Sequence, residues 1–104
     1  MINCIAQITI AIIEYYENGN IQSQQYWINN QLHKTNDKPA SIEYWKNGNV
    51  KCEEYFINNN PHRDNENDPV KIEYSENKSN FSTFTYKNGN VEKFDLFMLF
   101  TKSV

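Results

Sequence analysis

The chain of 104 residues carries a formal net charge of −3 and contains seven Tyr, six Phe and two Trp. A chain of this length is expected to fold as one domain, and its aromatic and Ile content argues against disorder and favours β-sheet. The acidic balance argues against binding to nucleic acids or anionic membranes, since both require a surplus of Lys and Arg.

The two cysteines, Cys4 and Cys52, form neither a CxxC pair nor a spacing typical of metal ligands. Two cysteines in a chain of this size do not make a disulfide framework, which is the usual pattern of small secreted domains. The cysteine usage therefore predicts a reduced protein in an intracellular location.

The apolar segment 1–13 begins the chain. It lacks the basic start of a secretory signal peptide, and it is short for a membrane-spanning helix. Ile8, Ile10 and Ile12 alternate with other residues, and a period of two is typical of a β-strand. We predict that residues 1–12 form a buried N-terminal cap strand.

Residues 13–21 read Ile-Glu-Tyr-Tyr-Glu-Asn-Gly-Asn-Ile. Asn-Gly between two apolar runs predicts a two-residue hairpin turn of type I′, in which both central residues take positive φ. Gly has no Cβ to clash in that conformation, and Asn tolerates it. All three glycines lie in Asn-Gly-Asn triplets, which predicts structural turns at Asn18-Gly19, Asn47-Gly48 and Asn88-Gly89.

The pattern of residues 13–21 returns along the chain. Residues 42–50 match it with a shift of 29, and a third copy begins at residue 72 with a shift of 30. A fixed period of this length indicates stacked supersecondary units. We predict an N-terminal cap strand at residues 1–12 and a C-terminal cap at residues 94–104. Between them lie unit 1 (13–41), unit 2 (42–71) and a degenerate unit 3 (72–93).

Each unit is predicted to contain a second tight turn. This turn falls at Asn29-Asn30 in unit 1 and at Asn58-Asn59 in unit 2, where both residues tolerate positive φ. In unit 3, Asn88-Gly89 aligns with this second turn, and Lys78 replaces the glycine of the first turn.

A polar, Pro-containing linker ends unit 1 at residues 35–39 and unit 2 at residues 64–69. The apolar run that starts at Phe94 replaces this linker in unit 3. A strand and a short helix both remain open for the C-terminal cap, because periodicity over so short a run does not separate them.

Hairpin pairing predicts which side chains share a face of the sheet. Trp45 is expected opposite Val50, and Glu43 is expected opposite Cys52. Aromatic residues are expected on both faces, where they either pack between strands or form a partner-binding surface, since Tyr and Trp are enriched at interfaces. The residues predicted for that surface are Tyr15, Tyr16, Trp27, Tyr44, Trp45, Phe56 and Tyr74.

Two sets of titratable residues occupy equivalent positions in successive units. His33 and His62 are expected across the second turn from Tyr26 and Tyr55, either as a repeated ligand site or as simple cross-strand His–Tyr pairs. The carboxylates at one strand position in all three units either bind an ion or are solvated strand residues. These carboxylates are Glu14, Glu43 and Glu73.

Asp64, Glu66 and Asp68 alternate like the start of a calcium loop. The glycine that such a loop needs at its sixth position is replaced by Pro69, and the glutamate at its twelfth by Ser75. A solvated linker is the better interpretation. The sequence contains no acid–base, nucleophile or metal constellation, so we predict no catalytic residue, no cofactor and no metal site.

The block Ile-Glu-Tyr-x-x-Asn-Gly-Asn-[Ile/Val], followed by Tyr-aromatic-Ile-Asn-Asn and His-[Lys/Arg], resembles MORN-type repeats over about residues 13–93. It is more similar to the MORN-variant, antitoxin-like repeat proteins of bacteria and giant DNA viruses of amoebae. The resemblance implies an all-β, elongated antiparallel meander of tandem β-hairpin repeats. It also implies a scaffold located in the cytoplasm, which could be that of an infected host cell, or in the virion.

Three functions follow as hypotheses. The first is a non-enzymatic module for protein–protein interaction or self-assembly, with a protein partner or a homo-oligomer as the complex. The second is an antitoxin or immunity-like protein that neutralises one specific partner. The third is a glycan- or lipid-binding module, although the negative charge makes contact with a membrane unfavourable.

Overall fold

A computed structural model of the protein describes residues 8–87 and 89–97. Within these ranges all regular structure is β-strand and no helix is present, which confirms the predicted all-β class. The strands are β1 (Ile10–Tyr15), β2 (Ile21–Ile28), β3 (Gln31–Leu32), β4 (Ser41–Tyr44), β5 (Val50–Glu54), β6 (Phe56–Ile57), β7 (Asn60–Pro61), β8 (Lys71–Tyr74), β9 (Asn80–Lys87) and β10 (Asn90–Phe97).

Eight strands form one antiparallel sheet in the order β1-β2-β4-β5-β8-β9-β10, with β3 beside the end of β2. The short strands β6 and β7 make a separate two-stranded hairpin. Each long strand therefore pairs with the long strands before and after it in the chain, which confirms the predicted antiparallel meander.

The sheet is a single layer with very little interior. Among the described residues only Ala40, Ser41 and Cys52 are buried, and no large side chain is fully buried. The Cα radius of gyration is 16.7 Å, against about 13 Å for a compact domain of this length. Contacts within the layer, rather than a central core, therefore hold the fold together.

The predicted burial of the N-terminal cap strand is wrong where the structure describes it. Ile10 and Ile12 in β1 are 53% and 44% exposed, because β1 pairs only with β2 among the described strands and has no second layer over it. Residues 1–7 of that predicted strand lie outside the described ranges.

The first turn of unit 1 differs from the predicted two-residue type. Gly19 has a φ of 91°, whereas Asn18 does not take positive φ. The Gly19 N–H donates to the Tyr16 carbonyl oxygen at 3.0 Å, and the Tyr16 N–H donates to the Asn20 carbonyl oxygen at 2.8 Å. The loop therefore has three residues, and Gly19 forms a left-handed bulge that needs the freedom of glycine.

The first turn of unit 2 has the same geometry around Gly48, whose φ is 93°. The three-residue loop shifts the pairing beside the turn by one residue. Val50 consequently pairs with Tyr44 and not, as predicted, with Trp45. A second irregularity between Glu43 and Tyr44 compensates for this shift farther along the hairpin.

The second turns match the prediction. Asn29 and Asn30 have φ values of 51° and 62°, and Asn58 and Asn59 have values of 49° and 65°. Positive φ at both central residues is the mark of the type I′ hairpin turn. The third of these turns joins the paired residues Lys87 and Asn90 and contains Gly89 at φ 78°; Asn88 is not among the described residues.

The described part of the predicted C-terminal cap, residues 94–97, is a strand and not a helix. β10 runs without interruption from Asn90 to Phe97 and pairs with β9 along its whole length. It crosses the predicted boundary at residue 94, because no Pro-containing linker interrupts it there as one does after β3 and β7. Residues 98–104 of the predicted cap are outside the described part of the chain.

Candidate interaction surface

The first turns of units 1 and 2 contact each other through asparagine side chains. The Asn18 Oδ1 atom accepts the Asn20 N–H at 2.9 Å, which closes its own turn. The side-chain amides of Asn18 and Asn20 both donate to the carbonyl oxygen of Lys46, at 3.0 Å and 2.8 Å. The Asn-Gly-Asn triplet therefore shapes one turn and binds the next.

Unit 2 repeats these contacts with unit 3. The amides of Asn47 and Asn49 donate to the carbonyl oxygen of Glu76 at 3.3 Å and 2.9 Å. In unit 3 itself, the Asn77 Oδ1 atom accepts the Ser79 N–H at 3.0 Å. Sequence reasoning assigned these asparagines to turn formation alone. The signal that could have revealed the contact is the presence of Asn on both sides of the glycine.

The aromatic residue before each turn also links two units. The Tyr16 hydroxyl donates to the carbonyl oxygen of Tyr44 at 2.6 Å. At the equivalent position of unit 2, the Trp45 indole N–H donates to the carbonyl oxygen of Tyr74 at 3.2 Å. Both donors are partly buried. Tyr16 and Trp45, which were predicted for a partner-binding surface, thus have their polar atoms engaged inside the sheet.

Tyr15, Tyr44 and Tyr74 share one face of the sheet, which we call the tyrosine face. The Tyr44 hydroxyl donates to Gln24 Oε1 at 3.4 Å, and the Tyr74 hydroxyl donates to Glu53 Oε1 at 2.8 Å. Burial raises the pKa of both phenols, and the Glu53 carboxylate raises that of Tyr74 further. Tyr15 in the edge strand is 60% exposed, so only one of the three presents an open ring.

The opposite face, which we call the glutamate face, aligns the repeated carboxylates. The predicted pairing of Glu43 with Cys52 is confirmed. Acidic residues alternate with small polar ones across the long strands of the sheet. At the last pair of this row, the Ser82 hydroxyl donates to Asp95 Oδ1 at 2.5 Å. The row, in strand order, is Glu14, Ser23, Glu43, Cys52, Glu73, Ser82 and Asp95.

Cys52 has the most reactive side chain of this row, and it is buried beside two carboxylates. The ligand atoms of Glu43, Cys52 and Glu54 lie within 4.8 Å of one another. Burial, followed by the neighbouring carboxylates, raises the pKa of the Cys52 thiol to about 12. Because the thiolate is the nucleophile, the raised pKa keeps the Cys52 thiol in its less reactive, protonated form at neutral pH.

An ion pair joins Asp37, in the linker of unit 1, to Arg63, which directly precedes the linker of unit 2. Arg63 donates two hydrogen bonds to Asp37, from Nε to Oδ1 at 2.8 Å and from Nη2 to Oδ2 at 3.2 Å. Its Nη1 atom donates to the Pro69 carbonyl oxygen at 2.6 Å. Its guanidinium also lies over the Tyr55 ring, 3.8 Å from the centroid. The hydrogen bond from Arg63 lowers the pKa of Asp37. Asp68, from the calcium-like pattern, lies 3.6 Å from Arg63.

The histidines occupy the predicted backbone positions, since the N–H groups of His33 and His62 donate to the carbonyl oxygens of Tyr26 and Tyr55. Their rings do not cover those tyrosines. Lys34 covers Tyr26, with Nζ 4.1 Å from the ring centroid, and Arg63 covers Tyr55 in the same way. The His33 Nδ1 atom instead lies 3.2 Å from the N–H of Asn58 in unit 2, which is another contact between units.

The remaining predicted aromatic residues are partly covered. Trp27 and Phe56 are half-buried on the glutamate face. The Lys51 ammonium lies 4.9 Å from the centroid of Trp45, and long basic side chains shield apolar surface in this way. The large apolar side chains that are open to solvent instead lie at the two ends of the described sheet: Ile8, Ile10, Ile12, Ile13, Tyr15, Tyr86, Val91, Phe94 and Leu96.

Comparisons with protein families, with curated proteins and with solved structures give no match to this chain. In the described ranges no helix is long and apolar enough to cross a bilayer. The internal geometry of the sheet is therefore the basis for a functional proposal.

Proposed function

We propose that the chain is a non-enzymatic, MORN-like repeat module that binds a protein partner or a second copy of itself. The repeated contacts between units support the tandem-repeat part of the proposal. Asn18 and Asn20 contact Lys46 as Asn47 and Asn49 contact Glu76. Stacking in which each unit contacts its neighbours is the defining property of repeat architectures.

The proposal that the chain binds a partner rests on the apolar surface at the ends of the sheet. In β1, Ile10, Ile12 and Ile13 are 53%, 44% and 41% exposed. A strand edge with exposed apolar side chains is a template for pairing with another chain, and contiguous apolar surface marks interaction sites. Of the seven aromatic residues predicted for the partner-binding surface, Tyr15 is the one whose side chain is exposed. Tyr15 and the isoleucines beside it therefore form the proposed binding surface.

Light scattering over a range of concentrations, combined with chemical crosslinking in native lysate, tests the proposal. The expected result is an oligomer or a crosslinked complex that the double variant Ile10→Lys/Ile12→Lys abolishes. Glu43→Lys is the control, because it changes an exposed charge at the centre of the sheet. A protein that stays monomeric at every concentration and gives no β1-dependent crosslink would refute the interaction function.

A further inference from the structure

The last strand of the sheet, β10, presents a long open edge. It pairs with β9 along its whole length, and among the described strands none lies on its other side. Val91, Phe94 and Leu96 along this edge are 57%, 56% and 45% exposed. An open edge that carries apolar side chains is a template for pairing with another chain.

The backbone of β10 is oriented for such pairing. The carbonyl oxygen of Phe84 in β9 accepts the N–H of Val70, on the side of β9 away from β10. The residue opposite Phe84 is Lys93. Because hydrogen-bonded and non-hydrogen-bonded pairs alternate along antiparallel strands, Lys93 points its N–H and C=O away from β9. The same alternation turns the backbone groups of Val91 and Asp95 outward.

The charges of β10 have a self-complementary order. Lys93 and Asp95 lie on the glutamate face, where the Lys93 ammonium is 3.8 Å from Asp95 Oδ1 and both side chains are more than half exposed. Phe94 stands between them in the chain and lies on the tyrosine face, since successive side chains of a strand alternate between faces. A basic and an acidic residue therefore flank one exposed aromatic residue.

We propose that β10 pairs antiparallel with β10 of a second copy, around a twofold axis that passes through Phe94 along the sheet normal. The two Phe94 rings then meet on the tyrosine face, and Lys93 of each copy lies opposite Asp95 of the other on the glutamate face. Aromatic pairs and opposite charges directly across two strands stabilise a sheet. The interface is isologous, which is the commonest arrangement in homodimers.

The charge order selects this register. In a twofold pairing each residue lies opposite a residue of the same face, so the axis moves in steps of one residue. One step in either direction centres the pairing on Lys93 or on Asp95, and like charges directly opposite each other are destabilising. In β1 the one charged residue is Glu14, so that strand offers no charge pair to fix a register with a second copy.

Pairing of β10 with β1 of a second copy would break the pattern of the sheet. The strands in the order β1-β2-β4-β5-β8-β9-β10 alternate in direction and their number is odd, so β1 and β10 run the same way. Antiparallel pairing of β10 with β1 would turn one copy over and join its tyrosine face to the glutamate face of the other. The twofold at Phe94 keeps the strands antiparallel and both faces continuous.

Two charge reversals test the proposal. Across the twofold, Lys93→Glu places acid opposite acid, and Asp95→Lys places base opposite base. Each variant alone is expected to dimerise about tenfold more weakly than the native chain. An equimolar mixture of the two variants restores both opposite-charge pairs and is expected to dimerise like the native chain. Sedimentation velocity over a range of concentrations measures the dissociation constant of each sample.

A disulfide at the axis tests the register without changing a charge of the native pair. In a chain with Cys4→Ser and Cys52→Ser, Phe94→Cys places two cysteines at a non-hydrogen-bonded pair with Cα atoms about 4.5 Å apart, which suits a disulfide. Glu92→Cys on the same face is the control, because the two cysteines would lie four residues apart along the strands, about 13 Å. Under mild oxidation we expect a crosslinked dimer from Phe94→Cys and none from Glu92→Cys.

This inference rests on the proposed interaction function, but the two fail separately. The twofold leaves β1 exposed in both copies, so Ile10→Lys/Ile12→Lys should leave the β10 dimer intact, and the β1-dependent complex is then the one with another protein. A native chain that stays monomeric, a mixture that dimerises no better than its components, equal crosslinking at Phe94 and Glu92, or loss of the dimer in the β1 variant would overturn the β10 pairing. A β1-dependent crosslink to another protein would still support the proposed function.

Discussion

The phenol of Tyr16 donates a hydrogen bond of 2.6 Å to the carbonyl oxygen of Tyr44, 28 residues later in the chain. This bond joins the first hairpin to the second in a sheet with almost no interior. Because no large core exists among the described residues, links of this kind carry an unusual share of the stability.

Replacement of Tyr16 by Phe removes the hydroxyl and keeps the ring. We expect the free energy of unfolding to fall by about 1 kcal/mol, the usual contribution of such a hydrogen bond, with an added cost for the carbonyl left unpaired. Tyr15→Phe is the matched control, since its ring is 60% exposed, and it should be nearly neutral. Urea denaturation followed by fluorescence measures the unfolding free energy of both variants. Equal losses would contradict the role given to the hydrogen bond of Tyr16.

The asparagine amides that connect the turns give a second prediction. Asn18→Asp preserves the oxygen that accepts the Asn20 N–H, but it replaces the amide that donates to Lys46. We expect a loss of about 1 kcal/mol in unfolding free energy. Asn77→Asp is the control, because the Asn77 bonds in the described chain use its oxygen as acceptor, and a surface change of this kind stays within about 0.5 kcal/mol.

The first and second turns of the units differ in how well the sequence predicted their conformation. Asn29-Asn30 and Asn58-Asn59 were predicted correctly, because asparagine tolerates positive φ at both central positions of a two-residue loop. Asn-Gly was predicted to do the same, yet in the first turns of units 1 and 2 only glycine takes positive φ. The dipeptide is compatible with both loop lengths, so its presence alone does not decide between them.

Exposure was harder to predict than pairing. The alternation correctly indicated a strand at Ile10 and Ile12, although the strand begins after Ile8, and it could not show whether any element covers that strand. Burial of a strand depends on a second layer, and the sequence signal for a strand is the same with or without one. For the aromatic residues, the sequence left packing between strands and a binding surface as alternatives. The donors of Tyr16 and Trp45 are used inside the sheet, and the sequence carried no signal for these bonds because their acceptors lie 28 and 29 residues away.

Lys78 provides a test of backbone strain. It has a φ of 62° where Gly19 and Gly48 take positive φ in the other first turns, and a side chain in that conformation is disfavoured by about 1 kcal/mol. Lys78→Gly should raise the free energy of unfolding by about 0.5 kcal/mol, because glycine loses part of the gain through its greater entropy in the unfolded chain.

Gly48→Ala is the reciprocal change. A Cβ at Gly48 would meet no atom within 4 Å, so any destabilisation comes from the backbone conformation, and we expect about 1 kcal/mol. Thermal melts of Lys78→Gly and Gly48→Ala measure the change in stability that each substitution causes. If Lys78→Gly destabilised the protein as much as Gly48→Ala, backbone strain at the turn would not be the controlling factor.

The ion pair between Asp37 and Arg63 predicts a dependence of stability on pH. The hydrogen bond from Arg63 lowers the pKa of Asp37 in the folded state, so the folded protein binds this proton less readily than the unfolded chain does. The stability that the pair contributes is therefore complete above the unfolded pKa of about 3.9 and is lost as the pH falls through the lower folded value.

Asp37→Asn isolates this contribution, and denaturation curves between neutral and strongly acidic pH measure it. The difference in unfolding free energy between the native chain and the variant should be constant in the neutral range and should shrink as the pH falls below about 4. Glu66→Gln makes the same change in net charge at an exposed carboxylate of the same linker, which controls for charge alone. A difference that persists unchanged into strong acid would mean that Asp37 stabilises the linkers through packing instead of through its charge.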